Sequence, residues 1–216
     1  MIDLHTHSIL SDGELLPTEL VRRAEIAGYE AIAITDHVDA SNIDIVIAQL
    51  VKLSKELNGR VKTRIIPGVE ITHVPPKQIG AMVREARELG AKIVVAHGES
   101  IVEPVAKGTN RAAIKAYVDI LSHPGLIKEA DVKLAAENSV MLEITCRRGH
   151  SITNGHVAYM AKRFDAKMVL NTDTHSPSDL ISESMAKEIV LGAGLNSNDY
   201  KILKNNSKEM LEKSFN

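Results

Sequence analysis

The sequence predicts an α/β fold, a distorted (β/α)7 barrel of the TIM type, and three observations predict it. Short Val- and Ile-rich runs alternate with helical patterns along almost the whole chain, the mark of βα units around a parallel sheet. No G-x-G-x-x-G follows any of those runs, so a closed or nearly closed barrel fits better than an open doubly wound sheet. The 216 residues, 44% hydrophobic and 25% charged, suffice for one substantial core, and no Pro/Gly/Ser-rich linker or low-complexity tract divides them. Residues 1–216 are therefore expected to form a single barrel domain.

Seven strands are expected, near residues 2–5, 31–35, 63–69, 92–96, 118–122, 140–145 and 168–172. After the first comes a helix over PTELVRRAEIAGYE, opened by Pro17 and Thr18, because proline lacks only an N–H that the first helical turn leaves unbonded anyway. Asn42 opens NIDIVIAQLVKLSKELNG after the second strand. Gly28, Gly59 and Gly90 stand where three successive helices should stop, since glycine accepts the left-handed conformation that ends a helix.

Composition narrows the partners. A formal charge of -2 gives no overall attraction to polyanions, and four tyrosines, two phenylalanines and no tryptophan leave little for stacking bases. Nucleic acid is disfavoured except as short nucleotides, although a small basic pocket could still hold a phosphate. No run of 18 apolar residues could span a bilayer, and Asp3 and His5 interrupt the first apolar stretch, so neither a membrane nor a signal peptide is expected. The single Cys146 excludes an internal disulfide and fits a reducing compartment; a cytoplasmic protein is expected. Nothing in the sequence addresses oligomeric state.

Polar residues fall in a pattern relative to these strands. The opening MIDLHTHSILSDGE puts His5 and His7 on one face of the first strand and Thr6 on the other. Alone, two such histidines are as readily a half-buried strand end as a metal grip. The second strand ends in AITDH (His37), the third in PGVE (Glu70), the fourth in VVAH (His97), the fifth in LSH (His123) and the seventh in NTDTH (Asp173, His175). Carboxyl ends of barrel strands converge on one mouth, so eight candidate ligands meet there, and Asp12 in the first loop makes nine. Recurrence at successive strand ends requires a common cause, which is metal binding at the mouth.

HTH followed by SDG, TDH, GVE, isolated histidines after the fourth and fifth strands, and DTH together resemble the polymerase and histidinol phosphatase (PHP) superfamily, from Asp3 to about Pro177. The resemblance implies a distorted seven-stranded barrel carrying two or three divalent transition-metal ions. Carried over, it assigns His5, His7, Glu70 and Asp173 to a first ion and Asp12, His37 and His175 to a second. Glu70, His97 and His123 would hold a third. Imidazoles mixed with carboxylates suit zinc, manganese or iron. The expected reaction is hydrolysis of a small phosphomonoester by a metal-activated hydroxide, with Glu70 as bridging carboxylate and Asp12 or His175 protonating the departing alkoxide. Three alternatives stay open: a phosphodiesterase on a short nucleotide, an accessory barrel without catalysis, and amide or lactone hydrolysis. Histidinol phosphate as substrate has no warrant in these residues.

CRRGHS after the sixth strand supplies no obvious metal ligand, yet it carries Arg147, Arg148 and His150 to the mouth, where a guanidinium fork suits phosphate. These three are the expected substrate-binding residues. Asp36 and Glu143 are expected to orient neighbours, His73 to sit in a solvent-facing turn, His156 to be structural and Cys146 to pack. GESIVEPVAKGTNRAA is long enough to cover the mouth and offers Lys107, Asn110 and Arg111.

Overall fold

The computed structural model describes residues 1–216. Seven strands form the barrel: β1 (Ile2–Thr6), β2 (Ala31–Ile34), β4 (Arg64–Ile71), β5 (Ile93–His97), β6 (Ile120–Ser122), β7 (Met141–Thr145) and β8 (Met168–Asn171). They pair in parallel in the order β1–β2–β4–β5–β6–β7–β8. An eighth, two-residue strand, β3 (His37–Val38), resumes after a break at Thr35 and Asp36 and pairs with β4, His37 opposite Glu70. The expected second strand is thus split, and the split sets His37 beside Glu70.

Helices α1 (Pro17–Ile26), α2 (Ile43–Leu57), α3 (Pro76–Glu88), α4 (Thr109–Lys115), α5 (Glu129–Asn138), α6 (Asn154–Arg163), α7 (Glu183–Gly192) and α8 (Ser197–Phe215) accompany the strands. Pro17 is the first residue of α1, and Gly28, Gly59 and Gly90 adopt positive φ just beyond α1, α2 and α3. Asn42 precedes α2 without capping it: its Oδ1 accepts from Asp39 N and its Nδ2 donates to His37 O, which braces the strand end instead.

The strands are buried on both faces. Outward residues such as Ile32, Ile65, Val94, Leu121 and Leu142 belong to the large core beneath the helices. Inward residues Leu4, Ala31, Ala33, Ile66, Ile93, Val95, Ile120, Met141 and Val169 form a second cluster inside the barrel, joined by Met210 and Leu211 of α8. The last helix, to which the sequence assigned no role, therefore packs apolar side chains against the barrel interior; Asn206 Nδ2 fastens it to Met168 O at 2.7 Å.

Closure between β8 and β1 relies largely on side chains. Leu4 N donates to Asn171 Oδ1 at 3.0 Å, and Thr172 donates to Asp3 through N at 3.2 Å and Oγ1 at 2.5 Å. Backbone bonds appear only towards the mouth, from Asp173 N to His5 O and from His7 N to Thr174 O. Register also slips between Asp3 and Thr6 of β1. Leu4 thereby joins the interior cluster while His5 reaches the mouth, although strict alternation puts neighbours on opposite faces. No helix is long and apolar enough to cross a membrane.

Candidate metal centre

Inward positions that are apolar low in the barrel become polar at its mouth. Along β4 the inward row runs from Ile66 to Glu70, along β5 from Ile93 through Val95 to His97, and along β7 from Met141 to Glu143. His123 and Asp173 lie just past β6 and β8 and hold φ of 25° and 54°, a region L-residues seldom occupy and one that recurs at functional sites. Two glycines let the neighbouring loops approach this closely. A Cβ at Gly98 would stand 2.2 Å from Ser122 O, and one at Gly125 would stand 2.0 Å from Glu99 O.

The mouth is a cavity of about 420 Å³ whose lining contains no hydrophobic side chain. At its buried floor, His5 Nε2 and His7 Nε2 face each other at 3.0 Å. Glu70 Oε1 lies 3.3 Å from His5 Nε2, and Asp173 Oδ1 lies 3.2 Å from His7 Nε2. His123 Nε2 stands 3.8 Å from Glu70 and 3.7 Å from Asp173. A more exposed group adjoins this floor: Asp12 Oδ1 is 3.2 Å from His175 Nε2 and 3.5 Å from His37 Nε2, with the rings of His37 and His175 each 4.2 Å from that of His7. His5, His7 and Glu70 bring ligand atoms within 4.8 Å of one another; so do His5, His123 and Asp173, and so do His7, Asp12, His37 and His175.

Buried charge here is unbalanced. Burial disfavours a charged His5, but Glu70, Glu143 and Asp173 outweigh it and raise its pKa well above the ordinary range. Burial would raise Glu70, yet His5 and His37 hold it well below the usual carboxylate range. Asp173 is pushed up to about 7 by burial, with His5 opposing and Glu70 and Glu143 reinforcing the rise. Burial and neighbouring imidazoles keep His7 and His123 low, hence neutral at pH 7 and free to offer lone pairs.

These residues fit divalent ions. His5 Nδ1 lies 2.8 Å from Glu143 Oε2, which keeps a proton on Nδ1, so a cation that displaced the other ring proton would meet the Nε2 lone pair, the carboxylate–histidine relay of metal sites. Glu143 in turn accepts from Asn171. The buried side-chain polar atoms without a hydrogen-bond partner are His7 Nδ1, Glu70 Oε2, His123 Nδ1 and Glu143 Oε1, and all belong to this cluster. Such orphaned groups cost free energy unless something else satisfies them; Glu70 Oε2, 2.8 Å from a His37 Nδ1 that is engaged with Thr72 Oγ1 instead, is a carboxylate oxygen a cation would satisfy.

The remaining candidates separate. Arg147 lines the cavity and donates to Asp179 Oδ2 at 3.3 Å, while Arg148 is exposed and outside the lining. His150 lines it too. Asp36 accepts from Ser8 N, Ser8 Oγ and Ser11 Oγ, all at 2.7 Å, and so holds the loop that carries Asp12. His156 bonds Ile127 O, and Cys146 packs against the core. Neither Lys107, Asn110 nor Arg111 lines the cavity: Asn110 bonds Glu99 and Pro124, and Arg111 pairs with Asp131. Their long loop instead delivers Glu103, which sequence reasoning missed. Glu103 Oε2 is 3.1 Å from His97 Nε2 and 3.3 Å from His73 Nε2, and Oε1 is 3.2 Å from His150 Nε2. His97 thus turns its Nε2 to Glu103, with no oxygen of Glu70 within ion-pair reach. A glutamate inside an irregular loop has no periodic signal to announce it.

The PHP domain family matches residues 3–215. An uncharacterized protein of Methanocaldococcus jannaschii is 49% identical over 214 residues, 98% of this chain and 98% of its own. Ribonuclease P protein component 3 of Methanosarcina barkeri is 26% identical over 208 residues, covering 88% of this chain and 80% of its own. The structure of a histidinol phosphate phosphatase from Lactococcus lactis, complexed with zinc, L-histidinol and phosphate, is similar in fold with a TM-score of 0.62 at 19% identity, over 90% of this chain and 94% of that one.

Proposed function

Because this chain belongs to the PHP domain family, we propose that it is a metal-dependent phosphoesterase acting on a small phosphomonoester. The observation that carries the reading is the convergence of His5, His7, Asp12, His37, Glu70, His123, Asp173 and His175 on one wholly polar cavity, with Arg147 at its edge. Two or three divalent ions, of zinc, manganese or iron, would be held there: one by His5, His7, Glu70 and Asp173, a second by Asp12, His37 and His175, and a third near His97 and His123. When bound, such ions lower the pKa of a water and neutralise phosphoryl charge.

The chain's own residues supply the rest. Glu143 holds His5 in its ligating tautomer. Arg147, steadied by Asp179, presents a fork of donors to phosphate oxygens, and buried His150 stands nearby. Asp12 and His175 lie where the cavity meets solvent and are placed to hand a proton to the leaving alkoxide.

A second reading takes its support from the ribonuclease P relative: a phosphodiester of a short nucleotide as substrate, or an RNA-associated role without catalysis. The cavity contains no aromatic platform beyond its histidines on which bases could stack. Metal analysis combined with a screen of phosphomonoesters, dinucleotides and short RNA separates these. We expect at least two ions per chain and turnover of a monoester. Turnover of diesters alone, or metal-loaded protein without turnover, would overturn the monoesterase reading.

A further inference from the structure

We infer that Thr72, which the proposed reaction leaves idle, is a positioning residue: its hydroxyl holds the His37 ring off the Glu70 carboxylate, keeping Glu70 Oε2 and His37 Nε2 free for metal. This role rests on the metal-dependent reading above. Thr72 stands just past β4, two residues beyond Glu70, so strand alternation gives both side chains one face. Its N–H donates to Val38 O at 3.1 Å, which carries the ladder between β3 and β4 one step past the strand end and fixes Thr72 beside His37. The side chain is half-buried and lines the cavity.

The available protons set the direction of each bond. Thr72 Oγ1 lies 3.1 Å from Glu70 O, a carbonyl that only accepts, so the hydroxyl proton goes there. The same oxygen is 2.6 Å from His37 Nδ1; with its one proton committed it accepts, and Nδ1 keeps a proton. Glu70 Oε2 is nearly as close to Nδ1, at 2.8 Å, yet receives no hydrogen bond. Two acceptors thus compete for one N–H, and the hydroxyl holds it. Without that hydroxyl, Glu70 Oε2 is the remaining partner, and a charge-assisted bond would draw the ring onto the carboxylate. Ser122 Oγ already donates to Glu70 Oε1 at 2.6 Å, so both carboxylate oxygens would then be engaged. The same movement would turn His37 Nε2, 3.5 Å from Asp12 Oδ1, away from the group that Asp12 forms with His175.

Cobalt(II) is the probe, because its visible absorption reports the ligand geometry around each bound ion. Metal-stripped full-length wild type, Thr72→Val, Thr72→Ala, Thr72→Ser and Asp12→Asn are titrated with cobalt chloride, with affinities measured against a competing chelator. The equivalent weakened in Asp12→Asn identifies the ion beside His37. Thr72→Val and Thr72→Ala should weaken that same equivalent by roughly 10–100-fold and change its absorption, while the unfolding midpoint of the stripped protein stays close to that of wild type. Thr72→Ser, which keeps the hydroxyl, should restore both affinity and spectrum. Wild-type behaviour in the valine and alanine variants, or weakening confined to another equivalent, would overturn the role of Thr72 and leave the phosphoesterase reading standing. A serine variant as weak as valine would also overturn it, since the methyl group and not the hydroxyl would then be responsible. Protein that answers cobalt as expected but hydrolyses no phosphoester would uphold Thr72 and sink the phosphoesterase reading; wild type that binds no cobalt would overturn both.

Discussion

The two ends of this barrel are built from the same strand faces and could hardly differ more. At the amino end, inward side chains meet Met210 and Leu211 of α8 and form an apolar plug. At the carboxyl end, the same inward rows finish in Glu70, His97, Glu143 and Asp173, around a cavity with no hydrophobic lining. One end is stabilised by burying apolar surface, whereas the other buries charges whose mutual repulsion needs a cation or a proton to offset it. In βα barrels, the amino end carries stability and the carboxyl end carries chemistry.

That division can be broken most severely at Glu70. Glu70→Gln removes the carboxylate that lies within 4 Å of ring nitrogens of His5, His7, His37 and His123, and turnover should fall by more than about a hundredfold, since orienting partners alone are worth roughly 10–100-fold in metal affinity. The unfolding midpoint of the metal-free protein should change little. Steady-state rates beside thermal unfolding check this, and full turnover in the variant would remove Glu70 from the centre.

Leu211→Ala tests the opposite end. The side chain is fully buried in the plug, so the fold should lose about 2–5 kcal/mol. Denaturant melts should register that loss while metal stoichiometry in the folded protein stays at the wild-type value. If the ions were lost along with the plug, the two ends would not be separable.

Glu143→Gln reaches the centre through His5 alone. Zinc affinity should weaken by roughly 10–100-fold, measurable by competition with a chelating dye, because the relay that sets the His5 tautomer is impaired. An unchanged affinity would show that the ring is held by packing.

Arg147→Lys keeps the charge and loses the fork. We expect kcat/KM to drop about tenfold, the worth of one charged hydrogen bond, with both a higher KM and a lower kcat. The smallest effect is expected at exposed Arg148, whose lysine variant should keep wild-type kinetics. Equal losses at both arginines would mean that substrate extends well beyond the cavity.

Much of this was legible in the chain. The βα rhythm, Pro17 and the three helix-ending glycines are local signals, because a proline or glycine acts on its own backbone. His5 and His7 sharing a face, and ligands recurring at strand ends, follow from a period of two and from the convergence that any βα barrel imposes. Arg147 and Arg148 were indistinguishable as sequence, since what separates them is the turn after β7.

By itself the sequence determined the alternation of elements and the family membership. Only the tertiary structure decided which ring nitrogen meets which oxygen, that Glu103 comes over the rim to His73, His97 and His150, that α8 packs into the interior cluster, and that Asn171 and Asp3 help stitch β8 to β1. The reason is physical. Periodicity reports how a residue stands relative to its near neighbours, whereas His5 and Glu143, 138 positions apart, meet only after barrel closure has fixed both ends of the path between them.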